Sequence, residues 1–235
     1  MNRISVRVEK HVPLRMGEAS YVKWLLLVCL VVTAQWAAAQ SEGQWRLRKN
    51  KDQIQVYSRH TDGSRLEELK AVCVIPGTMS QLVALLSDVD NYKEVLYKTK
   101  TAQLLQRVNE TRFTYYIVNE LPVVQDRDMA VQLTFSRDPA TKLLHVRGVG
   151  LPNLVPEKKG NVRITDWQAD WQVRADEKKR TLSITYTCRV DPGGSIPAWV
   201  QNFAATDGVY NSFILIRDSL PLARYQGRTF AFLGN

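Results

Sequence analysis

An α+β fold, in which an antiparallel sheet carries a long C-terminal helix on one face, is what the sequence predicts, on three observations. Most of the chain beyond residue 40 alternates apolar and polar residues with a period of two, the mark of half-buried strands. A short segment, 78–97, breaks that pattern with apolar residues at helical spacing. A longer one, Pro197 to about Leu220, does the same at the C-terminal end. Strands in series followed by a terminal helix point to α+β rather than to alternating βαβ units.

Residues 1–39 stand apart from this pattern. The apolar block Trp24–Val32 follows Lys23, and Ala37, Ala38 and Ala39 close it before Gln40. A basic stretch, a short apolar core and small residues at A-x-A spacing describe a secretory signal peptide cleaved after Ala39. Its uncharged core from Trp24 to Ala34 is 11 residues, against about 20 needed to span a bilayer. The basic stretch is long, and Met16 is a second candidate start. The expectation is an exported chain, periplasmic or secreted, with one domain over 41–235, because no linker, repeat or low-complexity segment divides that stretch.

The elements follow in order. Leu69, Ala71, Cys73 and Ile75 alternate as one strand face. Thr78-Met79-Ser80-Gln81 fits a capping box that opens a helix carrying Leu82, Val83, Leu85, Leu86 and Val89. Phe113, Tyr115 and Ile117 alternate again, as do Met129, Val131, Leu133 and Phe135. Between Val162 and Val173 the alternation slips: Val162 and Ile164 hold one parity, while Trp167, Ala169, Trp171 and Val173 hold the other. A β-bulge near Thr165–Asp166 repairs the slip, and bulges bend sheets, so the sheet is expected to be curved. Leu182, Ile184, Tyr186, Cys188 and Val190 form the cleanest strand face. The last helix opens at Pro197 and stops before Pro221, with Trp199, Phe203, Tyr210 and Phe213 in one aromatic stripe that contains Gly208. The order is three strands, a helical excursion, six strands and a helix.

Composition removes several functions. The full chain carries a net charge of +9, and the leader's five basic and two acidic residues leave +6 on the mature part. With no run of five or six basic residues, nucleic acid is not an expected partner, although the excess suits transient contact with an anionic membrane surface. His60 and His145 have no motif partner, and no Gly-x-Ser-x-Gly elbow, phosphate loop or His-Glu-x-x-His occurs. Neither a metal site nor a cofactor is expected, and no residue is assigned a catalytic role. Cys73 and Cys188 fit either an exported protein's disulfide or two small buried apolar residues.

Two stretches carry more specific information. One is Leu121-Pro122-Val123-Val124-Gln125-Asp126-Arg127-Asp128, a loop entering a strand. The other runs from Asp191-Pro192-Gly193-Gly194-Ser195-Ile196-Pro197 to Trp199, a strand leaving through a turn into the last helix. Together with the element order they resemble the START family of lipid-transfer domains, over roughly residues 44 to 225. That resemblance implies a helix-grip fold, a curved antiparallel sheet whose C-terminal helix closes an internal hydrophobic cavity. It implies a ligand-facing wall of Tyr115, Ile117, Met129, Val131, Leu133, Trp171, Tyr186, Trp199, Phe203, Tyr210 and Phe213. Leu121–Asp126 becomes a gating loop, with Arg127 and Asp128 holding it, as an ion pair or by contact with ligand. Gly208 is either a close-packing point or a source of room and flexure in the lid. The same topology sets Cys73 and Cys188 on neighbouring strands, so a disulfide between them stays open. Sterol carriers often place a second arginine where this chain has Leu133, which makes the expected cavity greasier than a sterol site.

The functional expectation is therefore a binding module for a lipid or other hydrophobic small molecule, acting as a single copy. The competing readings are a polyketide cyclase or aromatase using the same cavity, for which Tyr115, Tyr186 and Asp166 are the candidate titratable groups, and a packed envelope protein that binds partners.

Overall fold

The computed structural model describes residues 43–60, 67–197, 200 and 206–234. The expected signal peptide, 1–39, lies outside these. Two N-terminal strands, β1 (Arg46–Lys51) and β2 (Ile54–His60), form a hairpin, and β3 (Glu67–Pro76) follows. Helix α1 (Met79–Ser87) and the single turn α2 (Tyr92–Val95) make up the helical excursion. Then come β4 (Thr99–Asn109), β5 (Arg112–Asn119), β6 (Asp126–Arg137), β7 (Leu144–Gly150), β8 (Asn161–Arg163), β9 (Asp166–Asp176) and β10 (Thr181–Asp191). Helix α3 (Gly208–Ser219) packs over the sheet. The strands form one curved sheet in the order β1-β2-β3-β10-β9-β7-β6-β5-β4, antiparallel along this path. This is the helix-grip fold.

Local chemistry explains the helices. Thr78 Oγ1 accepts from the Gln81 amide at 3.2 Å, and Gln81 Oε1 accepts from the Thr78 amide at 2.8 Å, so the capping box forms as its spacing predicts. Gln81 Nε2 also donates to Leu220 O at 3.2 Å, tying α1 to the end of α3. Gly77 leaves the room this junction needs, since a Cβ there would stand 2.9 Å from Leu220 Cδ1. Leu82, Val83, Leu85 and Leu86 are buried against the sheet. Each such aliphatic side chain contributes about 1.5–3 kcal/mol by leaving water.

Three details depart from the sequence expectation. Seven strands rather than six follow the helical excursion. The extra one, β8, arises where a bulge was expected. Arg163 ends β8, which pairs parallel with β6, and the chain breaks at Ile164–Thr165 before β9 joins β7 and β10 in unbroken register. A parity slip is also what two strands with different partners look like, and that is its cause here. Register shifts occur instead in the edge strands, one in β1 and three in β4. The described part of the last helix, α3, runs from Gly208 after a π-type turn at 206–207, and Val200 upstream is also helical. Trp199, Phe203 and the rest of 198–199 and 201–205 lie outside the described residues.

Candidate functional site: an apolar cavity under the C-terminal helix

The inner face of the sheet and the underside of α3 enclose a cavity of about 290 Å³. Its wall is built from the alternating positions of several strands. Tyr115 and Ile117 come from β5, Met129 and Leu133 from β6, Trp171 from β9, Tyr186 from β10 and Phe213 from α3. Two expected wall residues are elsewhere. Val131 shares the parity of Met129 and Leu133 but is fully covered and belongs to the packed core. Tyr210 turns to the hairpin, where its hydroxyl meets the Asp52 carboxylate and Lys49 Nζ sits 4.0 Å from its ring centroid.

Aromatic contacts hold the helix on the sheet. Trp171 lies 4.9 Å from Tyr186 and 5.1 Å from Phe213 between ring centroids, and Tyr186 lies 5.6 Å from Phe213. Pairs in this geometry each contribute about 0.5–1.5 kcal/mol beyond area burial. At the cavity's inner end Tyr92 meets Tyr115 edge-on at 5.1 Å, and its hydroxyl donates to Leu86 O. Burial pushes the Tyr115 phenol well above its ordinary range, so it is a neutral wall group. Gly208 also lines the cavity. No described atom lies within 4 Å of a Cβ built there, so the residue leaves open room rather than allowing close packing.

Trp167 is a wall residue that the periodicity placed on the inner face without assigning it to the cavity. Its ring lies over Gly148, where an added Cβ would stand 2.6 Å from the indole. Glycine at that position on β7 is therefore what lets the tryptophan lie flat against the sheet.

Arg127 and Asp128 do not pair with each other. Adjacent strand residues face opposite sides, and here Arg127 points inward while Asp128 points outward. Arg127 Nε donates to Pro192 O at 3.0 Å, Nη2 to Gly193 O at 3.2 Å and Nη1 to Gln125 O. The guanidinium thus clamps the 121–126 loop to the turn that leads into the last helix. Asp128 instead accepts from Arg163, Nε to Oδ1 at 2.7 Å and Nη2 to Oδ2 at 3.3 Å, and from the Tyr116 hydroxyl at 2.6 Å. Arg163 also donates to the carbonyls of Pro152, Val155 and Pro156, which fastens the loop after β7 onto the outer face. Burial and the bond to Asp128 push the Tyr116 phenol up to about 12. Arg163 and Tyr116 were not singled out by the sequence. The parity of Asp128 alone could have indicated that its partner lies outside the cavity.

Cys73 and Cys188 sit on paired strands, β3 and β10, but not opposite each other. Cys73 faces Ile184, and Cys188 faces Leu69. Four residues of strand separate them, about 13 Å, and a disulfide requires Cα atoms within about 7 Å. Both are free, buried thiols, which corrects the bridge left open by the sequence. Burial pushes Cys73 up to about 12 and Cys188 to about 11, the latter offset in part by hydrogen bonds with Tyr186 and Trp167.

The mouth of the cavity is polar. Lys98, Asn119, Glu120, Arg127 and Ser212 meet there, and Ser212 Oγ accepts from the Tyr97 amide at 3.1 Å. Lys98 and Glu120 form a loose pair at 3.8 Å. Among the described residues no cluster of side chains suits a metal ion.

No family model matches the chain. It is 26% identical over 176 residues to an uncharacterized protein of Pseudomonas aeruginosa, covering 74% of this chain and 86% of that one. It is 26% identical over 185 residues to the phosphatidylcholine transfer protein of Mus musculus, covering 74% and 82%. Among solved structures it resembles a STAR-related lipid transfer protein from Xanthomonas axonopodis, with a TM-score of 0.69 at 26% identity over 76% of this chain and 99% of that one. With its curved sheet and C-terminal helix, the chain is similar to START lipid-transfer domains, in fold and, at 26% identity, in sequence.

Proposed function

We propose that this chain is a START-type domain that holds a lipid or other hydrophobic molecule in the cavity under α3 and exchanges it when the 121–126 loop separates from the last helix. The carrying observation is the cavity itself, walled by aromatic and aliphatic side chains with its polar groups gathered at one mouth. A ligand gains about 25 cal/mol for each Å² of apolar surface it buries there. The loop carries a sign of stored strain: Val123 has φ 60°, the left-handed region, although it is β-branched, and it is 80% exposed. Such a residue costs on the order of 1–3 kcal/mol, so the loop is held in place by its contacts rather than by its own preference. Arg127 is the principal contact.

The reading is of a carrier and not a catalyst. Of the titratable groups a cyclase would use, Asp166 pairs with Arg189 at 3.2 Å on the outer face, which leaves Glu120, at the mouth and loosely paired with Lys98, as the one carboxylate among the described lining residues. Export through the 1–39 leader, and action at a membrane surface outside the cytoplasm as a single copy, complete the proposal.

Tethering tests it. In a Tyr97→Cys/Ser212→Cys variant, oxidation is expected to abolish uptake of a fluorescent phospholipid from vesicles, and reduction to restore it. Uptake that is unchanged in the oxidised form refutes the moving lid. Native mass spectrometry of gently purified protein is expected to show a lipid-sized adduct, and its consistent absence favours a packed interior.

A further inference from the structure

The charge at the cavity mouth does not balance, and this bears on the class of cargo; the inference rests on the carrier reading above. Arg127 is only 3% exposed and lies on the cavity wall. Its three hydrogen bonds all go to backbone carbonyls. The nearby carboxylates are committed elsewhere. Asp126 pairs with Lys100 at 2.6 Å, Asp128 with Arg163, and Asp191 accepts from the Gly193 amide at 2.9 Å. Glu120 is more than half exposed and leans toward Lys98. Burial holds the Arg127 guanidinium below its ordinary value, with no carboxylate opposing that effect.

A guanidinium stays charged at any working pH, and carbonyl dipoles satisfy its N–H groups without cancelling its charge. Buried charges are ordinarily paired, as Arg163 is on the other face of the same sheet. Three bonds use three of the five N–H groups, so two remain for an acceptor. Lys98 at the same mouth has Glu120 at 3.8 Å, so the unbalanced charge there is that of Arg127. A clamp that only fastened the loop to the turn would not require a charge facing the cavity. We propose that the cavity's occupant is an amphiphile whose anionic oxygens, those of a phosphodiester or a carboxylate, lie against Arg127 while its apolar chains run inward toward Tyr115 and Phe213.

Chain-matched pairs decide the matter. Dioleoylphosphatidylglycerol is compared with dioleoylglycerol, and oleate with oleyl alcohol, each displacing a bound fluorescent fatty-chain probe from the wild-type protein. The anionic member of at least one pair is expected to displace the probe at about a 10- to 100-fold lower concentration, the range of a charge-assisted hydrogen-bonded contact. The pair that shows the preference distinguishes a phospholipid from a fatty acid. Arg127→Gln is expected to bring both members of that pair to the same displacing concentration, whatever common shift the loosened loop imposes on the two, and Arg127→Lys to retain part of the preference. If Arg127→Gln fails to fold, the wild-type ratio still decides. Equal displacement by both members of each pair overturns the charge inference and leaves the carrier reading intact. Failure of all four to displace the probe overturns both.

Discussion

Replacing Asp128 by asparagine preserves the shape of a fully buried side chain and removes its charge. The carboxylate neutralises Arg163, whose side chain is 4% exposed, and it also accepts the Tyr116 hydroxyl. Breaking a buried pair by removing one partner costs about 3–5 kcal/mol, because the other charge stays buried without compensation. For a domain that unfolds with a urea dependence of about 2 kcal/mol per molar, the midpoint is expected to fall by roughly 2 M. The double variant Asp128→Asn/Arg163→Met is expected to recover part of that loss, giving a coupling of about 2 kcal/mol or more in a double-mutant cycle. The recovery is incomplete because Arg163 also holds three loop carbonyls. The effect also depends on pH. Burial raises the Asp128 carboxyl, but the bonds from Arg163 and Tyr116 more than reverse this and leave it below the ordinary 3.8. Its contribution is therefore present in full above that ordinary value and is lost as pH falls through the lower folded one. Wild type and Asp128→Asn should converge in acid. A loss below about 1 kcal/mol at pH 7, or strictly additive single variants, would refute the pairing described here.

Other perturbations read the cavity and its surroundings. Gly148→Val drives a side chain into the Trp167 ring; the expected cost is about 1–3 kcal/mol, a drop of roughly 3–9 °C in thermal midpoint, with a shift in tryptophan emission. Gly208→Ala should fold and hold or slightly raise stability, by up to about 1 kcal/mol, whereas Gly208→Trp should fill the cavity and reduce lipid uptake at unchanged far-ultraviolet circular dichroism. Neither Cys73 nor Cys188 should react with a thiol reagent at pH 8 until the chain unfolds, and the intact mass should not change on reduction. Asp52→Asn weakens the hairpin's hold on Tyr210 and is expected to speed lipid release several-fold with a stability change under about 1 kcal/mol, as befits a partly exposed contact.

The sheet and its helices were legible because their signals are local. A two-residue period reports which face of a strand is covered, and Thr78 with Gln81 reports a helix start. What lay beyond the sequence is which strand pairs with which. The slip between Ile164 and Trp167 was visible, but a bulge and a change of partner produce the same parity, and only the pairing of β8 with β6 separates them. The cysteines show the same limit: strand order places them on neighbours, while register, set by the long β3–β10 ladder, puts them four residues apart. For the cavity wall, parity identified the inner face well but could not distinguish covered Val131 from Met129 and Leu133, which the cavity reaches. Arg127 and Asp128 were adjacent in sequence, and that adjacency hid the fact that a strand sends them to opposite sides.

The three register shifts along β4 have a consequence for the edge of the sheet. Among the described residues the sheet does not close into a barrel, and β1 and β4 are its two edges, each paired on one side. At 11 residues β4 is the longer of the two, and it exposes Leu105 and Val108. A straight strand of that length and character would be a template for a passing chain to add to. Interruptions between Thr99 and Thr101, Leu104 and Gln106, and Arg107 and Asn109 leave no long unbroken row of donors and acceptors. Such irregularity blunts the edge without covering it, and makes it a poorer template for an added strand.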